Sequence, residues 1–297
     1  LAADAVLICD TGMLDAQPPM INHGTRGLAY MEVEVRGPAG DLHSGTYGGV
    51  VDNPFNVLVR ILAQLQDAAT RRVLIPGFYD KVRPLSDEER SLLAGAPFND
   101  ALLRHLTGVL EPAGEEGFTW GERGTLRPTL DIHGMPGGFT GPGKKTVIPA
   151  RACAKVSMRL APDQDPAEIA RLFAAYVRDL APTTVAVDVR TLGLARPSVV
   201  DLRAPAIRAA AQALHTVFGV EPIYMRAGGT LPIVVDFQDA LDAPVVMMGF
   251  GLPDDNVHAP NEKFHLPNFF RGIETVVHYL DLLSADRWHP QTSDFAG

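Results

Sequence analysis

The apolar positions along this chain change period several times, and the changes predict alternating strands and helices. The run Ala5-Val6-Leu7-Ile8-Cys9 is short and continuously apolar, which predicts a fully buried strand delivering Asp10 at its C-terminal edge. Residues 28–36 alternate apolar and polar toward their end, as a half-buried strand does. The Gly- and Pro-rich stretch 37–49 reads as a loop. Asp52 or Asn53 then caps a helix with Pro54 in its first turn, followed by Val57, Leu58, Ile61, Leu62 and Leu65 at helical spacing. The charged region 71–128 holds a helix near 86–94 and another near 99–110. A short strand is predicted at 129–133, a tight loop at 136–145 and a β-rich segment at 146–160. Asp165-Pro166-Ala167-Glu168 has the pattern of a capping box and opens a helix through Ile169, Phe173 and Val177, before an alternating strand at 184–190. A helix at 203–218, an apolar strand at 244–249 and a closing helix near 267–284 complete the reading.

From 27 to 190 the order is strand, helix, strand, strand, helix, strand, which suits a four-stranded sheet backed by two helices. The strand at 5–9 and the α/β segment after 200 then read as one domain, residues 1–25 and 200–297, interrupted by another at 26–199. Ligand sites of α/β sheets collect at the carboxyl edge of the strands, where Asp10 is placed. Leu1 stands immediately before a strand and is expected to be internal to a longer polypeptide, with about 150–190 further residues ahead of it.

Composition narrows the function classes. The 297 residues are 46% hydrophobic and 21% charged, as in a globular protein, and the formal net charge is −9. Without a basic excess, neither a nucleic acid nor an anionic membrane is an expected partner. No apolar run approaches the roughly 20 residues of a spanning helix, and no signal peptide is visible. Cys9 and Cys153 have no metal or redox spacing and read as small buried hydrophobes. A reducing cytoplasm is the default compartment.

Four short stretches carry candidate chemistry. Asp10 closes a strand, and His258 lies in a polar loop among Asp254, Asp255, Asn256 and Glu262, so both are candidate metal ligands; each also reads as a cap or a solvated side chain. His43 sits between Asp41 and Gly45 on a mobile-looking loop. Gly228-Gly229-Thr230 allows a ligand close to the backbone, and Arg226 beside it offers a guanidinium fork; an ordinary glycine turn is the alternative.

Asp41-Leu42-His43-Ser44-Gly45-Thr46-Tyr47-Gly48-Gly49 resembles the lid motif of the carnosinase-like branch of co-catalytic zinc peptidases. That branch shares a superfamily with acetylornithine deacetylase, succinyl-diaminopimelate desuccinylase and carboxypeptidase G. Ile8-Cys9-Asp10, Lys145-Thr146-Val147-Ile148-Pro149, Ser157-Met158-Arg159-Leu160, Arg226-Ala227-Gly228-Gly229-Thr230-Leu231-Pro232 and Asn256-Val257-His258-Ala259-Pro260-Asn261-Glu262 match in the same order. The resemblance implies an α/β zinc-peptidase-like catalytic domain, its N-terminal half missing here, interrupted by a four-stranded, two-helix lid and dimerisation domain. It implies hydrolysis of dipeptides or short peptides by water activated on two divalent metal ions, zinc first and manganese as the alternative. Asp10 and His258 match one ligand of each metal. His43 matches a lid histidine that crosses a homodimer to stabilise the oxyanion, and Thr146 a lid residue acting across the same dimer. Arg159 matches the arginine that holds the substrate's terminal carboxylate, and Thr230 a substrate contact within the subunit, with Gly228 and Gly229 forming its turn. Arg226 is placed beside them as a structural or substrate-orienting group.

Two family motifs are missing. The His-x-Asp whose Asp bridges the metals and the Glu-Glu pair that supplies the general base find no counterpart ahead of Asp10. Asp131-Ile132-His133 has the wrong order, and Glu115-Glu116 reads as a solvated loop. One ligand per metal does not retain zinc, so a chain limited to these residues is expected to be inactive. The alternatives are an N-acyl amino-acid deacylase of the same superfamily and a non-catalytic dimerisation or binding module.

Overall fold

The computed structural model describes residues 2–284; Leu1 and residues 285–297 lie outside the described residues. The first elements are β1 (Val6–Ile8), β2 (Met20–Thr25), β3 (Gly27–Arg36), β4 (Leu42–His43), α1 (Ser44–Tyr47), α2 (Pro54–Ala63), α3 (Asp87–Ala94), α4 (Asp100–Thr107) and α5 (Trp120–Thr125). They are followed by β5 (Thr129–Gly134), β6 (Val147–Ile148), β7 (Arg151–Leu160), α6 (Pro166–Asp179), β8 (Ala186–Ala195) and β9 (Ser198–Val199). The chain closes with α7 (Pro205–Phe218), β10 (Ile223–Ala227), α8 (Pro232–Leu241), β11 (Val245–Met248) and α9 (Leu266–Leu283).

These elements make two principal sheets. One is antiparallel, in the order β5-β7-β3-β8. Its inner face is apolar, with Ala29, Met31, Val33 and Val35 of β3 beside Ala154, Val156 and Met158 of β7. Val57, Leu58 and Ile61 of α2, with Ile169, Phe173 and Val177 of α6, cover that face and bury it from water. Asn53 caps α2 by accepting from Phe55 N, and Asp165 caps α6 by accepting from Ala167 N and Glu168 N. The expected capping box at 165–168 is incomplete, because the Glu168 carboxylate turns away to Lys81, 2.6 Å off. The opposite face is polar, with Lys155 and Arg190 pairing Glu32.

The second sheet runs β1-β11-β2-β10, with β9 added against β2. Residues far apart in sequence therefore share it: β1 lies parallel to β11 and β2 parallel to β10. Ile207 and Leu214 of α7 and Tyr279 of α9 bury its core. No helix among the described residues is long and apolar enough to cross a membrane.

Several expectations are corrected. β1 is half-buried rather than fully buried, because among the described strands only β11 flanks it. Cys9 is consequently exposed and Cys153 half-buried, its thiol lying on the polar face near Glu34. The stretch 37–49 is not a simple loop, since β4 pairs β6 and α1 follows it. Glu115 is not solvated. It makes two hydrogen bonds of 2.7 Å with Arg127, whose side chain is 7% exposed against 6% for Glu115, and the Arg127 guanidinium lies over Phe118. The charged region 71–128 is thus pinned from inside by an ion pair that no local pattern reveals.

Removing one member of a buried pair leaves an uncompensated charge. Glu115→Ala is expected to lower stability by about 3–5 kcal/mol in urea unfolding, whereas Glu116→Ala, at an exposed neighbour, is expected to stay within about 0.5 kcal/mol. Equal effects would contradict the burial argument.

Candidate active site

Asp10, Gly228, Gly229 and Thr230, which are distant in sequence, line one cleft of 380 Å³ together with Asn22 and Met225. β1 brings Asp10 to the cleft, and the turn after β10 brings the Gly-Gly-Thr residues. Gly228 has to be glycine because the Gly124 carbonyl oxygen lies 2.4 Å from where a Cβ would stand. Arg159, on β7 of the other sheet, reaches across and donates from Nη1 to Thr230 Oγ1 at 2.7 Å. The Thr230 hydroxyl in turn donates to the Arg26 carbonyl at 2.8 Å. Among the described residues Arg159 has no carboxylate partner, so most of its planar fork is unspent. A guanidinium in that state, beside a hydroxyl and a glycine turn, suits a substrate carboxylate.

Arg26 was not singled out by its sequence, yet it is central here. Its Nε donates to Gly228 O at 2.8 Å and its Nη1 to Arg127 O at 3.2 Å, while its amide faces Ala227 O and Gly229 O. Burial first, and then the Arg159 charge, lower its pKa to about 10, with Asp131 opposing; it remains a cation at neutral pH. The only sequence signal was the Arg-Gly pair that opens β3.

His43 and Thr146 do not line the Asp10 cleft. They lie together on the β4–β6 ribbon, where His43 pairs with Val147 and Thr146 Oγ1 is 3.3 Å from His43 Nε2. His43 Nδ1 accepts from Gly45 N at 3.1 Å, which puts the proton of the neutral ring on Nε2 and makes that atom an exposed donor.

Arg226 also points elsewhere. Its Nη2 donates to Glu89 of α3 at 2.8 Å, the Arg226 side chain being buried and that of Glu89 partly so, and this pair ties α3 to β10. His258 is exposed on the loop after β11, with a left-handed backbone at φ 62° between Asn256 at 54° and Asn261 at 61°. That loop is organised by Asp255, which accepts from Leu252 N at 2.6 Å. A carboxylate and an imidazole are suitable metal donors, but a catalytic zinc takes three protein ligands. No group of three or more His, Cys, Asp or Glu able to hold a metal forms among the described residues. The donor types fit a metal and their number does not.

Burial, with help from Arg226 and against Glu89, pushes His23 down to about 4. An unfolded His protonates near 6.5, so the unfolded chain takes up a proton that the fold refuses. The stability from neutral His23 is present above about pH 6.5 and lost as the pH falls toward about 4, by roughly 3 kcal/mol. Unfolding measured from about pH 7 to about pH 4.5 should show a shallower decline in His23→Gln; parallel declines would contradict this.

Comparisons with known proteins agree with this geometry. Residues 23–185 match the peptidase dimerisation domain of the M20 type. The Cys-Gly metallodipeptidase of Saccharomyces cerevisiae is 33% identical over 294 residues, covering 95% of this chain and 59% of that protein. The human Beta-Ala-His dipeptidase is 34% identical, covering 91% of this chain and 54% of that protein. The structure of an M20 family metallo-carboxypeptidase from Sulfolobus solfataricus superposes with a TM-score of 0.86 at 31% identity, covering 95% of this chain and 64% of that one. The chain thus spans between 54% and 59% of the length of these two dipeptidases. By its sheets, its dimerisation segment and its order of motifs, the chain belongs to the M20 peptidase family.

Proposed function

We propose that this chain supplies the substrate-binding and lid parts of a metal-dependent dipeptidase that cleaves the amide bond of dipeptides or short peptides with a free C-terminus. The observation that carries the proposal is the unpaired Arg159 guanidinium held on Thr230 beside the Asp10 cleft. Relatives described as dipeptidases support it. Arg159 and the Thr230 hydroxyl receive the terminal carboxylate, and the open turn at Gly228 and Gly229 lets the peptide approach the backbone. Arg226 orients the turn through Glu89 instead of touching substrate.

His43 Nε2–H is a donor for the oxyanion of a partner subunit, with Thr146 beside it. Support comes from both side chains being exposed and away from the cleft of their own chain. The homodimer forms through the segment that matches the dimerisation domain. Asp10 and His258 each offer one ligand to a pair of divalent ions, zinc or manganese. Such a pair, when bound, supplies a water of lowered pKa, and no group of three or more ligating side chains forms for it among the described residues. That shortfall favours one second reading, a non-catalytic dimerisation module.

Metal content and dipeptide turnover, measured on this chain and on the complete product of its gene, separate the two. The proposal expects chelator-sensitive turnover in the complete product and no tightly held metal in this chain alone. Arg159→Met should lower kcat/KM by roughly 10–100-fold for free-carboxylate dipeptides, and His43→Ala should lower kcat with metal content unchanged. No metal and no turnover in the complete product would establish the module reading.

A further inference from the structure

A second chamber, of 510 Å³, lies behind the carboxylate seat and has no part in the proposed function above. The two cavities share a wall, because Gly228 of the cleft touches Gly124 of the chamber and Arg26 Nε bonds Gly228 O across it. Thr129, which lines the chamber, stands directly opposite Arg159 in the β5–β7 register. A residue whose carboxylate rests on Arg159 then stands one strand from this chamber, with Arg26 between the two cavities.

The charge inside the chamber is unevenly matched. Arg26 is partly buried, and its Nε and Nη1 are committed to backbone carbonyls. Among the described residues its Nη2 makes no hydrogen bond and no carboxylate forms an ion pair with it. Arg71, also on the wall, has neither a side-chain hydrogen bond nor an ion pair among the described residues. Of the lining acids, Glu115 is consumed by Arg127. Asp131 accepts from Thr129 Oγ1 at 3.3 Å, and Asp100 opens α4; both are exposed. Arg26 is half-buried and the Asp131 carboxylate offsets its charge only from a distance, without an ion pair, so an incoming anion relieves the remaining cost of burial.

We propose that this chamber reads the C-terminal side chain of the substrate and takes an acidic one, the carboxylate of a C-terminal Glu or Asp pairing with Arg26. The assignment rests on the dipeptidase reading for the placement of the terminal carboxylate, and it adds the substrate class.

The test compares Ala-Glu with Ala-Gln, which differ in charge at nearly constant shape, by calorimetric binding and by hydrolysis on the complete metal-loaded protein. Ala-Glu should bind at least about tenfold more tightly, the worth of one charge-assisted hydrogen bond. Arg26→Gln should bring the ratio toward one. Because Arg26 also holds the turn, Asp131→Asn gives an independent check at an exposed position: removing that negative charge should widen the ratio. Equal affinities for the two peptides, or a ratio indifferent to both substitutions, overturn the proposal, and hydrolysis of both peptides would then leave the dipeptidase reading intact. A preference for Ala-Glu in binding, sensitive to Arg26 and without hydrolysis of either peptide, would support the chamber and sink the dipeptidase reading instead.

Discussion

The chain passes between its two sheets twice, and both passes run side by side. It leaves β2 at Thr25 for β3 at Gly27, and it returns from β8 at Ala195 to β9 at Ser198. The Thr25 amide donates to Ser198 Oγ at 3.1 Å, and the two hydroxyls are 2.9 Å apart in a buried contact. Gly27 fits only as glycine, since a Cβ there would stand 2.8 Å from Pro197 Cδ and 2.9 Å from Ala195 O. Two adjacent, hydrogen-bonded crossings resist rotation of one sheet on the other far better than one linker does. The Arg159–Thr230 contact depends on that constraint, because Arg159 belongs to one sheet and Thr230 to the turn after a strand of the other.

Charge sets this contact apart from the rest of the structure. Arg26 and Arg159 are neighbouring cations, and among the described residues neither forms an ion pair with a carboxylate, Asp131 acting on Arg26 only from a distance, while elsewhere Arg127 pairs closely with Glu115 and Arg226 with Glu89. The contrast follows from use. Ion pairs hold the 71–128 region and α3 in place, whereas Arg26 lines a cavity and Arg159 rests on Thr230 at the edge of the Asp10 cleft. The same region closes the back of the site through Gly124, so a segment outside the recognisable motifs shapes the space beside the motif residues.

Much of the antiparallel sheet was legible in the sequence. Alternation in β3, the Asn53 and Asp165 caps and the apolar spacing of α2 and α6 are local signals, and each survives in the structure. β2 was not legible, because Asn22 and His23 break the apolar run and are buried only through tertiary contacts. β10 and α8 were not legible either: β10 is a short, partly buried strand carrying Arg226, and α8 has no side-chain cap. α5 contains two glycines and has little helical propensity of its own, so its capping box at Thr119 and Glu122 carries it. Glu115 was misjudged because its partner Arg127 is not marked by any local pattern, and of the two roles read for Arg226 the structural one is set by Glu89, 137 residues away. At the site, Asp10 and the Gly228–Thr230 turn were named from motifs and the structure brings them together, whereas the part played by Arg26 emerged only from its contacts.

The most direct test of the account is a crystal structure with a dipeptide bound. The account predicts the terminal carboxylate within hydrogen-bonding distance of Arg159 and Thr230, with the scissile amide turned toward Asp10. A peptide bound elsewhere, with the Arg159–Thr230 contact intact and no carboxylate beside it, would contradict it.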